Sequence, residues 1–221
     1  MDVSAEEQTK PVVGSPWVTA ETEALAASLN TCITQGAAAI RLLSQEALNR
    51  LAAAAENLPW RSARPVVGEG GRRVYQDFEL SQYVPAESSY REAAISIDAA
   101  IAAAGHNLAP NPLPPGFHFN DLIVQRYAAN SRGITPHRDH LRYRGLVALV
   151  IVSGDGRFCL CQDRSGSGAR EVTAIPGDIL LMRAPGFAGT SSRPFHFLDR
   201  ISRERVSFGL RWDTGEGSPR G

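Results

Sequence analysis

The segment TPHRDH, residues 135–140, carries side chains that could bind a metal ion. His137 and Asp139 are two positions apart, so in an extended strand both would project from the same face. A neutral imidazole and a carboxylate on one face form half of a site for a first-row transition metal. Alone, His-x-Asp is a weak signal, because such a short pattern often arises by chance.

His196 lies much later in the chain, at the edge of another predicted strand. Together with His137 and Asp139 it would complete a facial triad of two histidines and one carboxylate. Such a triad leaves neighbouring coordination positions open, as non-haem iron(II) oxygenases require for a bidentate co-substrate and O₂. We therefore predict an iron(II) site formed by these three residues.

The run RVSFGLR near the C-terminal end strengthens this prediction. Arg205, Ser207 and Arg211 are separated by even steps, so a strand would point all three side chains inward. Burying two arginines is costly unless an anion compensates their charge. A carboxylate gripped bidentately would do so. An internal salt bridge is the alternative, but Glu204, at odd spacing, should point outward.

Three segments carry a family resemblance: DLIVQRYAANSRGITPHRDH, RFCL and PFHFLDRISRERVSFGLR. Together they resemble the AlkB-like 2-oxoglutarate/Fe(II)-dependent dioxygenases, over roughly residues 61–212. The resemblance implies Fe(II), 2-oxoglutarate as co-substrate and O₂. It also implies oxidation of a substrate C–H bond with release of succinate and CO₂. A non-catalytic binding protein is disfavoured, because neither a metal ligand nor an arginine of the pattern is missing.

The resemblance also assigns roles to five co-substrate residues. Arg205 would pair with the distal carboxylate of 2-oxoglutarate, assisted by the hydroxyl of Tyr127. Arg211 and Gln125 would lie near the end that chelates iron, with Ser207 in the same pocket. Gln125 and Ser207 depart from the family, which has asparagine at both positions. These two changes put the usual substrate in doubt.

The order of elements predicts the fold class. Helical patterns come first, and short β-branched segments separated by Gly-rich turns follow. We predict a mainly β protein with α, in which a double-stranded β-helix (jelly-roll) core carries N-terminal helices outside it. Residues 1–16 should form a flexible tail, residues 17–116 the helical support and substrate-lid region, and residues 117–214 the catalytic core. Residues 17–214 should form one compact domain.

Local signals place three helices in the N-terminal half. The pattern from Thr19 to about Leu58 is helical, with Thr19 and Ser44 as candidate N-caps. A third helix should run from a cap at Ser88 to Ala104, before Gly105. Residues 61–84 mix Pro, Gly, Arg and aromatics, which indicates a loop and a short hairpin.

Composition narrows the functional classes. The net charge is zero, with 43% hydrophobic and 21% charged residues, which is typical of a soluble globular protein. The three cysteines are an odd number and no secretory signal is evident, so we expect a reduced, cytoplasmic protein. No stretch is long enough to span a membrane, and we expect a monomer.

The substrate has two interpretations. A small molecule is favoured by the zero net charge, the single lysine and the changed pocket positions. Oxidative demethylation of an alkylated nucleic-acid base is the alternative, since arginines could contact phosphates and an aromatic ring could stack on a flipped base. Under either interpretation, the candidate substrate-binding residues are Arg73, Tyr75, Arg138, Arg142 and Tyr143.

Overall fold

The computed structural model describes residues 15–215. The predicted tail over residues 1–16 lies outside this range except for its last two positions. In the described range, three helices, α1 to α3, run over Thr22–Gln35, Gln45–Ala55 and Ser89–His106. None of them is long and apolar enough to cross a membrane.

The strands β1 to β13 of the described chain form two antiparallel sheets. One sheet has seven strands in the order β1-β11-β8-β13-β6-β5-β2, and the other has six in the order β10-β9-β12-β7-β4-β3. The strands run over Ala37–Arg41, Arg61–Ser62, Val66–Val67, Val74–Asp77, Glu79–Ser81, Asp121–Tyr127, Gly133–His137, Tyr143–Ser153, Arg157–Cys161, Arg170–Glu171, Asp178–Arg183, Phe195–Asp199 and Arg205–Asp213. The predicted fold class, a β core with helices outside, is confirmed.

Side chains that alternate along the strands of the larger sheet point into two different hydrophobic cores. On β13, Phe208 and Leu210 join the cluster that includes the helix residues Leu29 and Ile97. The opposite face of the same sheet points towards the smaller sheet, where Ile151 belongs to a second cluster. The period-two pattern of a strand thus assigns one face of β13 to the helices and the other to the space between the sheets.

The helix caps follow the sequence in two of three cases. The side chains of Ser44 and Ser88 accept hydrogen bonds from the amides of Ala47 and Arg91, so both predicted caps are confirmed. The predicted cap at Thr19 is wrong. Its hydroxyl instead donates to the Leu42 carbonyl at 2.8 Å, and α1 begins after the Glu21 position.

The helical pattern predicted from Thr19 to about Leu58 is also wrong over residues 37–41, which form a strand. Gly36 ends α1 in a left-handed conformation (φ 84°), and the following AAAIR segment forms β1. This strand pairs antiparallel with β11, from Ala37 opposite Met182 to Arg41 opposite Asp178. Alanine has the highest helix propensity, but the preference is small for each residue, and pairing with an available sheet edge outweighs it over this short segment.

Gly133 begins β7 at φ 75°, and an added Cβ would lie only 1.9 Å from the Leu198 carbonyl oxygen. We expect Gly133→Ala to lower the free energy of unfolding by about 2–5 kcal/mol, because it combines left-handed strain with a backbone clash. Urea denaturation measures this loss. Gly116→Ala is the matched control, since Gly116 has the same φ and no atom within 4 Å of its added Cβ. Equal losses in the two variants would contradict the steric explanation.

Candidate metal centre and co-substrate pocket

Strand pairing brings the two histidines of the predicted triad together. β12 pairs with β7 in a register that sets His196 opposite His137, and their ring centroids are 4.2 Å apart. Asp139 follows β7 by two residues. One ligand atom from each of the three side chains lies within 4.8 Å of the others, so this group could hold a metal ion.

Hydrogen bonds orient both imidazoles. Nδ1 of His137 lies 2.9 Å from the Thr135 carbonyl, and Nδ1 of His196 lies 3.3 Å from the Pro194 carbonyl. A carbonyl can only accept, so each Nδ1 donates its proton and leaves Nε2 with a free lone pair. A backbone carbonyl behind the ring is a usual partner of a metal-binding histidine.

Burial keeps both rings neutral, which is the form that binds metals. Burial, together with the neighbouring His196 imidazole, lowers the pKa of His137 to about 3, and burial also lowers the pKa of His196. Burial opposes ionisation of Asp139, but its electrostatic interactions, chiefly with His196 and Arg211, outweigh burial and lower the pKa of this carboxyl.

The pairing of β13 with β6 builds the adjoining pocket. Arg205 lies opposite Tyr127, and Ser207 lies opposite Gln125. All four side chains line the same cavity as the triad. Tyr127 is buried, and burial raises the pKa of its phenol, so it is protonated and available as a donor at neutral pH.

The two arginines of β13 are buried with hydrogen-bond donors unsatisfied, although Arg211 forms a long ion pair with Asp121. Arg205 is 4% exposed and Arg211 is 8% exposed. Within residues 15–215, Nε and Nη1 of each have no hydrogen-bond partner. Nη1 of Arg211 comes no nearer than 3.7 Å to a carboxylate oxygen of Asp121. Four unsatisfied buried donors fit a dicarboxylate co-substrate such as 2-oxoglutarate.

These features share one cavity, the inner pocket. Its empty volume, including the part that is open to solvent, is about 510 Å³. All eight residues predicted for metal and co-substrate line it, together with an apolar set. The lining residues are Gln125, Tyr127, Ile134, His137, Asp139, Leu149, Phe158, His196, Phe197, Leu198, Arg205, Ser207 and Arg211.

Sequence reasoning missed two neighbours of this pocket. Asp121 approaches Arg211, and the Phe158 ring stacks on His196 with centroids 5.6 Å apart. The sequence could have indicated Asp121, because it lies at even spacing from Gln125 and Tyr127 on one strand and therefore on the same face. Phe158 also occupies an inward position of an alternating strand, RFCLC.

A second cavity, the outer groove, opens beside the triad with about 1210 Å³ of empty space. It shares Gln125, Ile134, His137, Asp139 and Arg211 with the inner pocket. A molecule bound in this groove would therefore adjoin both the metal ligands and the co-substrate residues.

The structure places three of the five candidate substrate residues in the outer groove, namely Arg138, Arg142 and Tyr143. Arg73 and Tyr75 do not line it. Tyr75 is 54% exposed and borders a different cavity beside Arg132, because alternation along β4 turns it away while Val74 faces the groove. The groove instead includes Arg61, Arg72 and His140.

Comparisons with known proteins define the class of the fold. No protein-family model matches the chain, and no curated protein matches it by sequence. Among solved structures, the fold is similar to that of prolyl hydroxylases and of a Burkholderia pseudomallei oxidoreductase of the 2OG-Fe(II) oxygenase family.

Three of these structures illustrate the likeness. A prolyl hydroxylase from Trichoplax adhaerens, in complex with a hypoxia inducible factor peptide fragment, has a TM-score of 0.62 at 14% identity, covering 89% of this chain and 92% of that one. A Pseudomonas putida prolyl-4-hydroxylase has a TM-score of 0.60 at 18% identity, covering 86% and 100%. HygX from Streptomyces hygroscopicus, with nickel, 2-oxoglutarate and hygromycin B bound, has a TM-score of 0.54 at 16% identity, covering 85% and 86%.

Proposed function

We propose that the protein is an Fe(II)- and 2-oxoglutarate-dependent dioxygenase that oxidises a C–H bond of a small molecule. The observation that carries the proposal is the inner pocket. One cavity combines a possible two-His, one-carboxylate metal site with two buried arginines whose donors are unsatisfied. Few other chemistries need both an open metal position and a clamp for an organic anion.

Each residue has a defined task in this proposal. His137, Asp139 and His196 would hold iron(II) through two neutral Nε2 atoms and one carboxylate oxygen. Arg205, with the Tyr127 hydroxyl beside it, would bind the distal carboxylate of 2-oxoglutarate. Arg211, Gln125 and Ser207 would orient the other end of the co-substrate.

When bound, iron activates O₂ and couples decarboxylation of 2-oxoglutarate, which yields succinate and CO₂, to oxidation of the substrate. The protein's contribution is position and exclusion of water. Ile134, Leu149 and Phe158 line the inner pocket as apolar walls, which strengthen the charge interactions of Arg205 and Arg211. The outer groove would hold the substrate with one C–H bond near the metal.

Titration of 2-oxoglutarate with and without metal tests the proposal. We expect calorimetry to show binding that requires Fe(II), or Mn(II) as an unreactive substitute, and that disappears on chelation. Succinate formation in air should require iron. Binding of 2-oxoglutarate that is indifferent to metal would contradict the shared site.

Gly209 offers a test of Arg211 that spares the core. An added Cβ at Gly209 would lie 2.8 Å from Nη1 of Arg211, the mobile end of a flexible side chain. We expect Gly209→Ala to move the guanidinium and weaken 2-oxoglutarate binding by about tenfold, because misplacing a positioning group by a fraction of an ångström is costly. The Kd from calorimetry and the urea midpoint separate this effect from unfolding. An unchanged Kd would remove Arg211 from the co-substrate site.

The small-molecule proposal is supported by the aromatic residues of the outer groove. Of the two candidate tyrosines, Tyr75 does not line the outer groove and Tyr143 does. Among the described residues, the aromatic lining of this groove is Phe78 and Tyr143, besides histidines. Phe78 already packs on Tyr127, with centroids 5.0 Å apart. The AlkB-like assignment rests on the sequence resemblance alone.

A further inference from the structure

Arginines dominate the charge of the outer groove. Five of them line it: Arg61, Arg72, Arg138, Arg142 and Arg211. Among its described lining residues, Asp139 is the sole carboxylate, and the proposed function commits it to the metal. A groove of this composition attracts anions, although the whole chain has a net charge of zero.

Three of these arginines have no acidic partner. Over the described range, no ion pair joins Arg61, Arg72 or Arg138 to a carboxylate. Elsewhere the fold pairs its arginines closely, for example Arg126 with Glu79 and Arg157 with Asp199, each at 2.7 Å. Within residues 15–215, acidic residues therefore pair with other arginines, and none lies within ion-pair distance of these three.

The three arginines come from separate segments around the groove. Arg61 lies on β2 and donates to the Gln82 side chain at 2.5 Å, while Arg72 lies in the turn between β3 and β4. Arg138 lies between two candidate metal ligands, and its guanidinium carbon sits 4.0 Å from the centre of the Phe195 ring. Arg164 lies over the same ring at 5.7 Å and adds positive charge beside Arg138.

The groove also has apolar lining. Six aliphatic or aromatic side chains lie among its arginines and other polar residues, namely Val67, Val74, Phe78, Leu80, Ile123 and Ile134. An apolar surface of this kind binds a hydrocarbon or aromatic skeleton, whereas the guanidinium groups bind carboxylate or phosphate oxygens.

From this arrangement we propose that the substrate is a small organic anion, in which an apolar skeleton carries a carboxylate or phosphate group. The apolar lining holds the skeleton near the metal, and Arg72 and Arg138, which both line the groove, bind the anionic group. This inference rests on the proposed oxygenase function, because it takes the outer groove as the substrate site.

Binding of matched probes tests the proposal. The protein is loaded with Mn(II) and saturated with 2-oxoglutarate, so that the inner pocket is occupied and no turnover occurs. Three probes share one apolar skeleton: 3-phenylpropanoate, 2-phenylethyl phosphate and 2-phenylethylamine. We expect calorimetry to show that at least one anionic probe binds at least about tenfold more tightly than the amine, since one charge-assisted contact is worth about a tenfold change in affinity. The better anion identifies the group as carboxylate or phosphate.

Paramagnetic relaxation of the probe protons by Mn(II) would place the bound anion beside the metal. The double variant Arg72→Gln/Arg138→Gln should weaken the anionic probe by about tenfold or more. Arg132→Gln is the matched control, because Arg132 is exposed and does not line the outer groove. This control should bind the probe as the wild type does. Both variants change exposed side chains, and circular dichroism checks that they fold.

The other possible results would contradict either the proposed substrate class or the oxygenase proposal itself. If 2-oxoglutarate binds but the amine equals both anions, or if the double variant binds the anion unchanged, the substrate class is wrong and the oxygenase proposal stands. If 2-oxoglutarate itself does not bind with Mn(II), both proposals fail. Tighter binding of a short single-stranded oligonucleotide than of every probe, with strong salt dependence, would replace the small anion by nucleic acid.

Discussion

Asp139→Ala should abolish iron-dependent formation of succinate from 2-oxoglutarate. The carboxylate is the single anionic ligand of the candidate triad, and its loss leaves two neutral imidazoles to hold a divalent cation. Losing a residue that hydrogen-bonds to a metal ligand usually costs about ten- to a hundredfold in metal affinity or activity. Losing the ligand itself should cost more, so we expect activity to fall by more than about a hundredfold. His137→Ala should act in the same way, because His137 supplies a second ligand atom.

Succinate production by purified protein measures this effect, and Mn(II) titration followed by calorimetry reports the loss of metal affinity directly. His106→Ala is the control for a histidine substitution, because His106 lies at the end of α3 and not in the triad. It should retain full activity. Wild-type succinate formation by Asp139→Ala would refute the metal assignment.

Arg205→Ala should reduce 2-oxoglutarate affinity by about 2–5 kcal/mol, the usual cost of removing one member of a desolvated charge pair. The guanidinium is nearly inaccessible to water, and burial lowers its pKa, although it stays protonated at any ordinary pH. A carboxylate bound there would lose its one cation and could not regain hydration. Calorimetric titration with 2-oxoglutarate in the presence of Mn(II) gives the difference.

Two further variants sharpen this measurement. Arg205→Lys keeps the charge but not the planar fork, so we expect it to recover only part of the affinity. Arg126→Ala removes an arginine from the neighbouring strand β6 that pairs with Glu79 and does not line the inner pocket. It should leave the Kd unchanged. Wild-type affinity in Arg205→Ala would mean that the co-substrate carboxylate binds elsewhere.

Local patterns in the sequence were sufficient for features that depend on neighbouring residues. The even spacing of Arg205, Ser207 and Arg211 predicts one face of a strand, and the structure directs all three into one pocket. Ser44 and Ser88 predict helix starts because a cap needs only an amide three residues away.

Features that depend on distant partners could not be read in this way. β1 is a strand because the β11 edge is available to AAAIR, and nothing within that segment indicates it. Alternation along β4 puts Tyr75 and Val74 on opposite faces, but which face enters the outer groove follows from how the β3–β4 hairpin docks on β7.

The sequence by itself determined which chemical groups are present: two histidines, a carboxylate and two arginines at strand-compatible spacing. Only the tertiary structure decided that His196 faces His137, because cross-strand register depends on the whole sheet. It also decided that Arg61, Arg72 and Arg138 line one groove and form no ion pair with another residue of the described range. Whether a charged side chain has an opposite charge beside it depends on distances in space, and the residues that could provide that charge are far apart in the chain.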